Sequence, residues 1–316
     1  ATGELCYLLN GSKSTDVAWY QTLGEDALPV LDATHAIVYV TNERNCDGSY
    51  KDDTTFNYGN TDGKQDEHIF VDGICSVCND FDMTYVEKVD DYYQIGTAKQ
   101  FLWFAALVKS GQYYINAALT ADIDLSDVEN FEPIAPSHGN NTTAFRGKFN
   151  GQGHTVSNVT ILRDADSDIY VGLFSCVCNG LVENLIVKNV NITTESATAI
   201  STGAIIGRNS SSTLRNLVAL DVTLNLTKVG SKTSGSGGLI GYMSSAEASK
   251  LDNSYTNYVG AGGIASLTTK GAKCIVTNCY GGDEITGITS TGELCYKLNS
   301  TSTKPIYFQT LGTDEY

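Results

Sequence analysis

The chain is poor in positive charge, with 20 Lys and Arg against 36 Asp and Glu and a formal net charge of −16. So acidic a surface repels phosphodiesters and anionic headgroups, which excludes nucleic acid and membrane surfaces as natural partners. No run of about 18 apolar residues occurs, so no membrane span is expected. The longest apolar stretch with helical spacing, Phe101 to Val108, is far too short. The opening, Ala1-Thr2-Gly3-Glu4, has neither the charged nor the apolar region of a signal peptide, so export has to be inferred from composition. Proline is scarce, at 4 in 316 residues.

Catalytic signatures are missing too. There is no His-Glu-x-x-His, no Gly-x-Ser-x-Gly and no phosphate loop ending in Gly-Lys-Ser/Thr. The 4 His are scattered, without a Ser or Asp in a recognisable nucleophile order. Nothing requires an enzyme, and a non-catalytic chain is expected. The 9 Cys are an odd number and cannot all pair within the chain, so a disulfide framework is not the natural reading. What is abundant is Gly (31) and Tyr (18), together with Ser, Thr and Asn, the palette of short strands and tight turns.

Two repeats organise the chain. Thr2-Gly3-Glu4-Leu5-Cys6-Tyr7 recurs as Thr291-Gly292-Glu293-Leu294-Cys295-Tyr296. The match continues when Trp19-Tyr20-Gln21-Thr22-Leu23-Gly24 is answered by Tyr307-Phe308-Gln309-Thr310-Leu311-Gly312. Six identical residues in a row make coincidence a poor account; slightly more than one period of a longer tandem array is the simpler one. The second repeat is shorter. Its units open at Gly172-Leu173-Phe174, Gly203-Ala204-Ile205, Gly238-Leu239-Ile240 and Gly263-Ile264-Ala265, and Asn184, Asn216, Asn253 and Asn278 follow. Leu185, Val187, Val190 and Ile192 map onto Leu217, Ala219, Val222 and Leu224, and one unit earlier Val156, Val159 and Ile161 fit the same frame. Alternation puts every second side chain on one face of a strand. The extra residue between pairs is what a chain turning a corner needs to keep pointing inward, so the spacing predicts a coil of strands. Ser254 and Tyr258 break the apolar pattern in the last units.

These units resemble the GLUG motif of large exported bacterial proteins. The residues that carry the likeness are Phe145-Arg146-Gly147-Lys148-Phe149-Asn150-Gly151-Gln152-Gly153-His154-Thr155-Val156, then Gly172-Leu173-Phe174. Gln100 to Ala105 and Leu119 to Leu125 match the short helix and first strand that precede such repeats. The resemblance implies an all-β fold, a right-handed parallel β-helix, in a cell-surface or secreted setting. The expected organisation is a junction unit at 1–40, a loop-rich segment at 41–91, a capping-helix region at 92–118, the β-helix at 119–290 and the start of the next junction unit at 291–316. Residues 41–66 are polar and read as loops. Tyr92 to Gly111 reads as the one convincing helix, capped by Thr97, with Phe101, Phe104, Ala105 and Val108 at helical spacing. Its expected work is to close the open end of the coil.

The sharpest chemical signal is Cys46, His68, Cys75 and Cys78. Two thiols at x-x spacing, a third sulfur and one imidazole make a complete tetrahedral shell, as for a structural zinc. Residues 41–80 hold little apolar material and would gain from such a staple. The competing reading is a Cys75–Cys78 or Cys46–Cys75 disulfide beside a solvated His68. A weaker cluster, Asp164, Asp166 and Asp168, could converge oxygens on calcium, though a solvated acidic loop is the plainer account. Asp122 and Asp124 resemble an acid/base pair but are expected to hydrogen-bond nearby backbone. Cys176, Cys178, Cys274 and Cys279, with Cys6 and Cys295, read as core thiols.

The functional expectation is a structural or adhesive module of a tandem-repeat surface or secreted fibre, joined head-to-tail to neighbouring modules. Surface glycans and host proteins are candidate partners. The alternatives are a carbohydrate-binding module using a Tyr-rich flank, or a polysaccharide lyase or hydrolase on a β-helix.

Overall fold

The computed structural model describes residues 2–136, 142–165, 169–196, 200–228, 235–243, 249–260, 263–267 and 274–282, with Leu294, Leu298, Tyr307 and Gln309. They fall into two compact units, Ala1–Met83 and Thr84–Tyr316.

The first unit has little regular structure. A short helix α1 (Glu4–Leu9) begins after Gly3. Strand β1 (Tyr39–Val40) pairs antiparallel with β2 (Tyr58–Gly59), and β3 (Phe70–Val71) forms a hairpin with β4 (Ile74–Cys75). Amide side chains replace the missing ladders. Asn10 accepts from the backbone of Ala18 and Trp19 and donates to the Trp19 carbonyl, while Asn60 holds Leu23, Gln21 and Ile37. Backbone groups that no sheet satisfies must find such partners. Residues 41–66 are mostly irregular loop, as their composition predicts.

The second unit is a parallel β-helix. Strand β5 (Lys88–Val89) turns antiparallel into β6 (Tyr92–Ile95), which opens the stack; helix α2 (Ala98–Lys109) follows. The next coil carries β7 (Asn116–Leu119) and β8 (Ile123–Asp124). Then come β9 (Lys148–Asn150), β10 (Thr155–Ala165), β11 (Ile169–Val171) and β12 (Phe174–Cys178). The fourth coil has β13 (Leu181–Ser196), β14 (Ile200–Gly203) and β15 (Ile206–Ser210), and the fifth β16 (Thr213–Lys228), β17 (Gly235–Gly237) and β18 (Ile240–Met243). Strands β19 (Ser249–Thr256), β20 (Ala265–Leu267) and β21 (Cys274–Tyr280) end it. Stacked coil on coil, they make three parallel faces: a long sheet through β9/β10, β13, β16, β19 and β21, a second of β11, β14 and β17, and a third of β12, β15, β18 and β20.

The register is the one that the sequence spacing predicts. Val156, Val159 and Ile161 pair with Val187, Val190 and Ile192, and Leu185, Val187, Val190 and Ile192 pair with Leu217, Ala219, Val222 and Leu224. Leu185, Val187, Val190, Ile192, Leu217 and Ala219 are all buried. The extra residue at each corner is Asn or Asp in the left-handed region: Asn184 at φ 53, Asn189 at 54, Asn216 at 54 and Asp221 at 53. Asn and Asp tolerate that conformation better than other residues with a Cβ. Their amides then stack. Asn216 donates to Asn184 at 2.6 Å and Asn184 to Asn150 at 3.0 Å, and further along Asn278 donates to Asn253 at 2.7 Å. The Gly that opens the first three units is a steric requirement: a Cβ on Gly203 would sit 2.5 Å from the Gly241 nitrogen of the next coil.

Two features depart from the sequence reading. The predicted helix over 92–111 is shorter, because Tyr92–Ile95 alternates as a strand and pairs with β7 before Gly96 breaks the run. The Thr97 side chain does accept from the Gln100 amide, as a cap should. Ser254, where an apolar residue is expected, is fully buried: its hydroxyl accepts from the Leu217 amide at 3.0 Å and donates to the Asp252 carbonyl at 2.8 Å. Helix α2 packs Phe101 on Phe131 and Phe149, and Phe104 on Phe145 and Phe149, so it fills the mouth of the coil.

Candidate metal centre

The four residues Cys46, His68, Cys75 and Cys78 converge in the first unit, although 32 positions separate the outermost of them. The β3–β4 hairpin supplies two. Its two-residue loop is Asp72-Gly73, at φ 49 and 80, the pairing that a type I′ turn demands. Cys75 ends β4, and the chain curls at once: the Asn79 amide donates to the Cys75 carbonyl at 2.9 Å and the Cys75 amide to the Asp80 carbonyl at 2.8 Å. That tight curl returns Cys78 beside Cys75. His68 lies just ahead of β3, and the Ser76 amide ties it down through the Ile69 carbonyl at 3.0 Å. Cys46 comes from a separate turn, held by Gln65 donating to its carbonyl at 2.9 Å.

All four donor atoms lie within 4.8 Å of one another. Cys46 Sγ is 3.8 Å from Cys75 Sγ, and Cys78 Sγ is 3.3 Å from His68 Nδ1. A disulfide needs about 2.05 Å, so these are free thiols, and the disulfide alternative is not what the geometry shows. Cys46 and Cys75 are buried, and Cys78 and His68 half-buried. The other ring nitrogen of His68 faces Asp80 Oδ2 at 3.8 Å, and Phe70 stacks on the ring. A carboxylate behind a ligating imidazole orients the ring and raises its basicity.

The thiols differ sharply. Backbone N–H groups of Cys78 and Val77, with help from His68, hold the Cys75 thiol down to about 5, against the opposing effect of burial. Burial first, then hydrogen bonding with Cys78 and Cys75, pushes Cys46 up to about 12. The shifts run in opposite directions, down at Cys75 and up at Cys46, and a cation bound by both sulfurs would displace their protons. The cluster can hold a metal ion.

The other sequence candidates fare differently. Asp164 is the penultimate residue of β10 with an exposed side chain, while Asp166 and Asp168 lie outside the described residues. Asp122 accepts from the Thr155 amide at 2.9 Å and faces His154 at 3.3 Å; Asp124 accepts from Ser126 N at 2.9 Å and Asn158 Nδ2 at 2.7 Å. Both accept from backbone amides, as expected, and both also reach side chains of the next coil. Cys6, Cys176 and Cys178 are buried and Cys279 half-buried, with burial pushing Cys176 and Cys279 up to about 12, so these two are inert thiols. Cys295 and the Cys274 side chain lie outside the described residues.

Two features on the β-helix surface were not anticipated. A groove of about 340 Å³ is lined by Arg146, Lys148 and Arg215, cations that are scarce elsewhere. Glu183 takes up part of that charge, at 2.6 Å from Arg215. On another flank the Arg208 guanidinium lies over the rings of Tyr170 and Tyr242, at 5.3 and 5.9 Å. That ladder engages the ring faces that a sugar would need.

No family model matches the chain. Halomucin of Haloquadratum walsbyi is 35% identical over 122 residues, a match that spans 35% of this chain and 1% of the length of that protein. Among solved structures, a Bacteroides ovatus protein provisionally assigned as an immunoglobulin A1 protease aligns at a TM-score of 0.40 with 17% identity, over 61% of this chain and 67% of that one.

Proposed function

We propose that the chain is a structural module of a long tandem-repeat surface or secreted protein, a stalk or fibre element with no catalysis of its own. The observation that carries this reading is the unbroken parallel ladder of inward-facing residues, Val156 to Val187 to Ala219. Such a stack is stiff along its axis and adds length coil by coil. The duplicated Thr-Gly-Glu-Leu-Cys-Tyr segment supplies a joint between modules. The partial match to Halomucin supports the array, since a match of this size is only 1% of that protein. The GLUG-like residues point the same way, toward export.

In this reading the Cys/His cluster is a structural zinc site. Zinc bound to sulfur at about 2.3 Å in a tetrahedron implies sulfur–sulfur edges of about 3.8 Å. Cys46 and Cys75 stand at that separation. Three thiolates and one imidazole close the shell, which leaves no place for an activated water. The ion would substitute for the apolar core that the first unit lacks.

Two measurements test this. In the source genome, the sequence after Tyr316 should read like residues 29–45; a stop codon or an unrelated segment there removes the array. Metal analysis of purified protein should find close to one equivalent of zinc, lost in a Cys75→Ser, Cys78→Ser variant. Less than about a tenth of an equivalent in the parent chain removes the zinc assignment.

The groove of Arg146, Lys148 and Arg215 favours one secondary reading, capture of an acidic polysaccharide. Binding on a glycan array without turnover would support it. Release of shortened products would instead support a lyase or hydrolase.

A further inference from the structure

The two copies of the duplicated segment sit in opposite environments. In the second copy, Leu294 and Leu298 are helical and each only 2% exposed. They form one apolar cluster with Val218 and Tyr255, flanked by Ile186, Leu220, Tyr280 and Tyr307. Val218 in β16 and Tyr255 in β19 are register partners, and Val218 lies between the inward-facing Leu217 and Ala219, so these side chains belong to the outer surface of the long sheet. Polar contacts fix the seat: Asn278 donates to the Leu298 carbonyl at 3.0 Å, and the Tyr307 hydroxyl donates to the Asn253 carbonyl. In the first copy the corresponding residues are Leu5 and Leu9, on α1. They are 52% and 46% exposed.

We propose that the Leu5/Leu9 face of α1 is a docking surface for the outer face of the long sheet of another copy of this chain, seated at Val218 and Tyr255 as Leu294 and Leu298 are. The argument is direct. The same local sequence finds an apolar seat once and is left without one once. Leu5 and Leu9 are four apart and share a helix face. Two large apolar residues held open to water on a short helix are a standing cost that a complementary surface would remove. The tail carries Lys297 where the head has Leu8, so the shared docking face is Leu5 and Leu9 alone. A contact of this kind, one surface on a different surface of the next copy, propagates as an open chain. Each junction helix would then clamp onto the β-helix of the preceding module. The inference rests on the array reading and adds its geometry.

Two full-length designs test it. In the first, residues 291–312 are replaced by residues 2–24, placing Leu5 and Leu9 in the seat. Hydrogen exchange is followed in Thr213–Lys228 and Ser249–Thr256. Protection within about twofold of the parent is expected. A loss as large as that caused by Leu294→Asp with Leu298→Asp would overturn the proposal. In the second, that double variant empties the seat and is examined by light scattering at about 100 μM, a concentration that reveals weak contacts. The parent stays monomeric, the double variant self-associates to roughly twice the mass or more, and adding Leu5→Asp and Leu9→Asp restores the monomer. Association that survives the added changes, or a double variant that stays monomeric, overturns the proposal. Both designs report on docking alone, whereas the sequence after Tyr316 reports on the array alone, so the two ideas can fail separately.

Discussion

At the scale of single residues, the corner asparagines hold the fold in register. Asn184 sits at φ 53 and both donates and accepts along its amide ladder. Asn184→Ala should cost about 1–2 kcal/mol for the left-handed backbone and about 1 kcal/mol more for the lost ladder bond. Asn184→Gly should recover the first part and not the second, so urea midpoints of the two variants separate backbone from side chain. Asp124 gives a second prediction. The Asn158 amide, then the Ser126 N–H, holds its carboxyl below the ordinary value of 3.8. A depressed carboxylate stabilises the fold fully above that value, and the contribution is lost as pH falls through the lower folded value. Urea midpoints of the β-helix should therefore be level near neutral pH and fall below about pH 4. Asp124→Asn should flatten that fall; an unchanged acid slope would refute the assignment. The corners were legible in the sequence because the two-three-two spacing records them directly. The Cys/His cluster was legible because few residue types ligate metals and His68, Cys75 and Cys78 fall within a short stretch that Cys46 joins across a loop. Ser254 was not legible: a buried hydroxyl with both partners satisfied looks, in sequence, like a defect in the apolar pattern.

At the scale of elements, α2 acts as a stopper for the coil's open end. Its rings fill a space that coils further along fill with aliphatic side chains. Phe104→Ala should cost about 3–5 kcal/mol, the range for truncating a buried aromatic, and Thr97→Ala about 1 kcal/mol for the lost cap. Chemical denaturation of the β-helix checks both, and a Phe104→Ala loss below that of Thr97→Ala would contradict the stopper role. The sequence showed the helix but not its start, because Tyr92–Ile95 is too short a run for alternation to stand out from helical spacing. Helix α1 was missed for a related reason. Six residues carry too little periodicity, and half of its apolar face is not explained by its own unit.

At the scale of the whole molecule, two compact units with different sources of stability should unfold separately. The first depends on turns, amide clamps and the Cys46/His68/Cys75/Cys78 cluster, which can hold a metal ion; the second on a continuous apolar interior. A strong chelator should lower the melting transition of residues 1–83 by many degrees and leave that of residues 84–316 within about a degree. Calorimetry with and without chelator reads this directly, and equal shifts in both transitions would refute it. In the sequence, composition marked 41–66 as polar and loop-like and regular apolar spacing marked the coils, but neither located the division after Met83.

One property of the stack reaches further. Val156 faces Val187, Leu185 faces Leu217, Leu214 faces Leu251 and Leu251 faces Val276, so successive coils are 31, 32, 37 and 25 residues long. Pairing is conserved while contour length is not. Selection can therefore lengthen or trim the chain between faces without touching the ladder, and a lineage could vary what it shows to its surroundings while keeping the scaffold fixed.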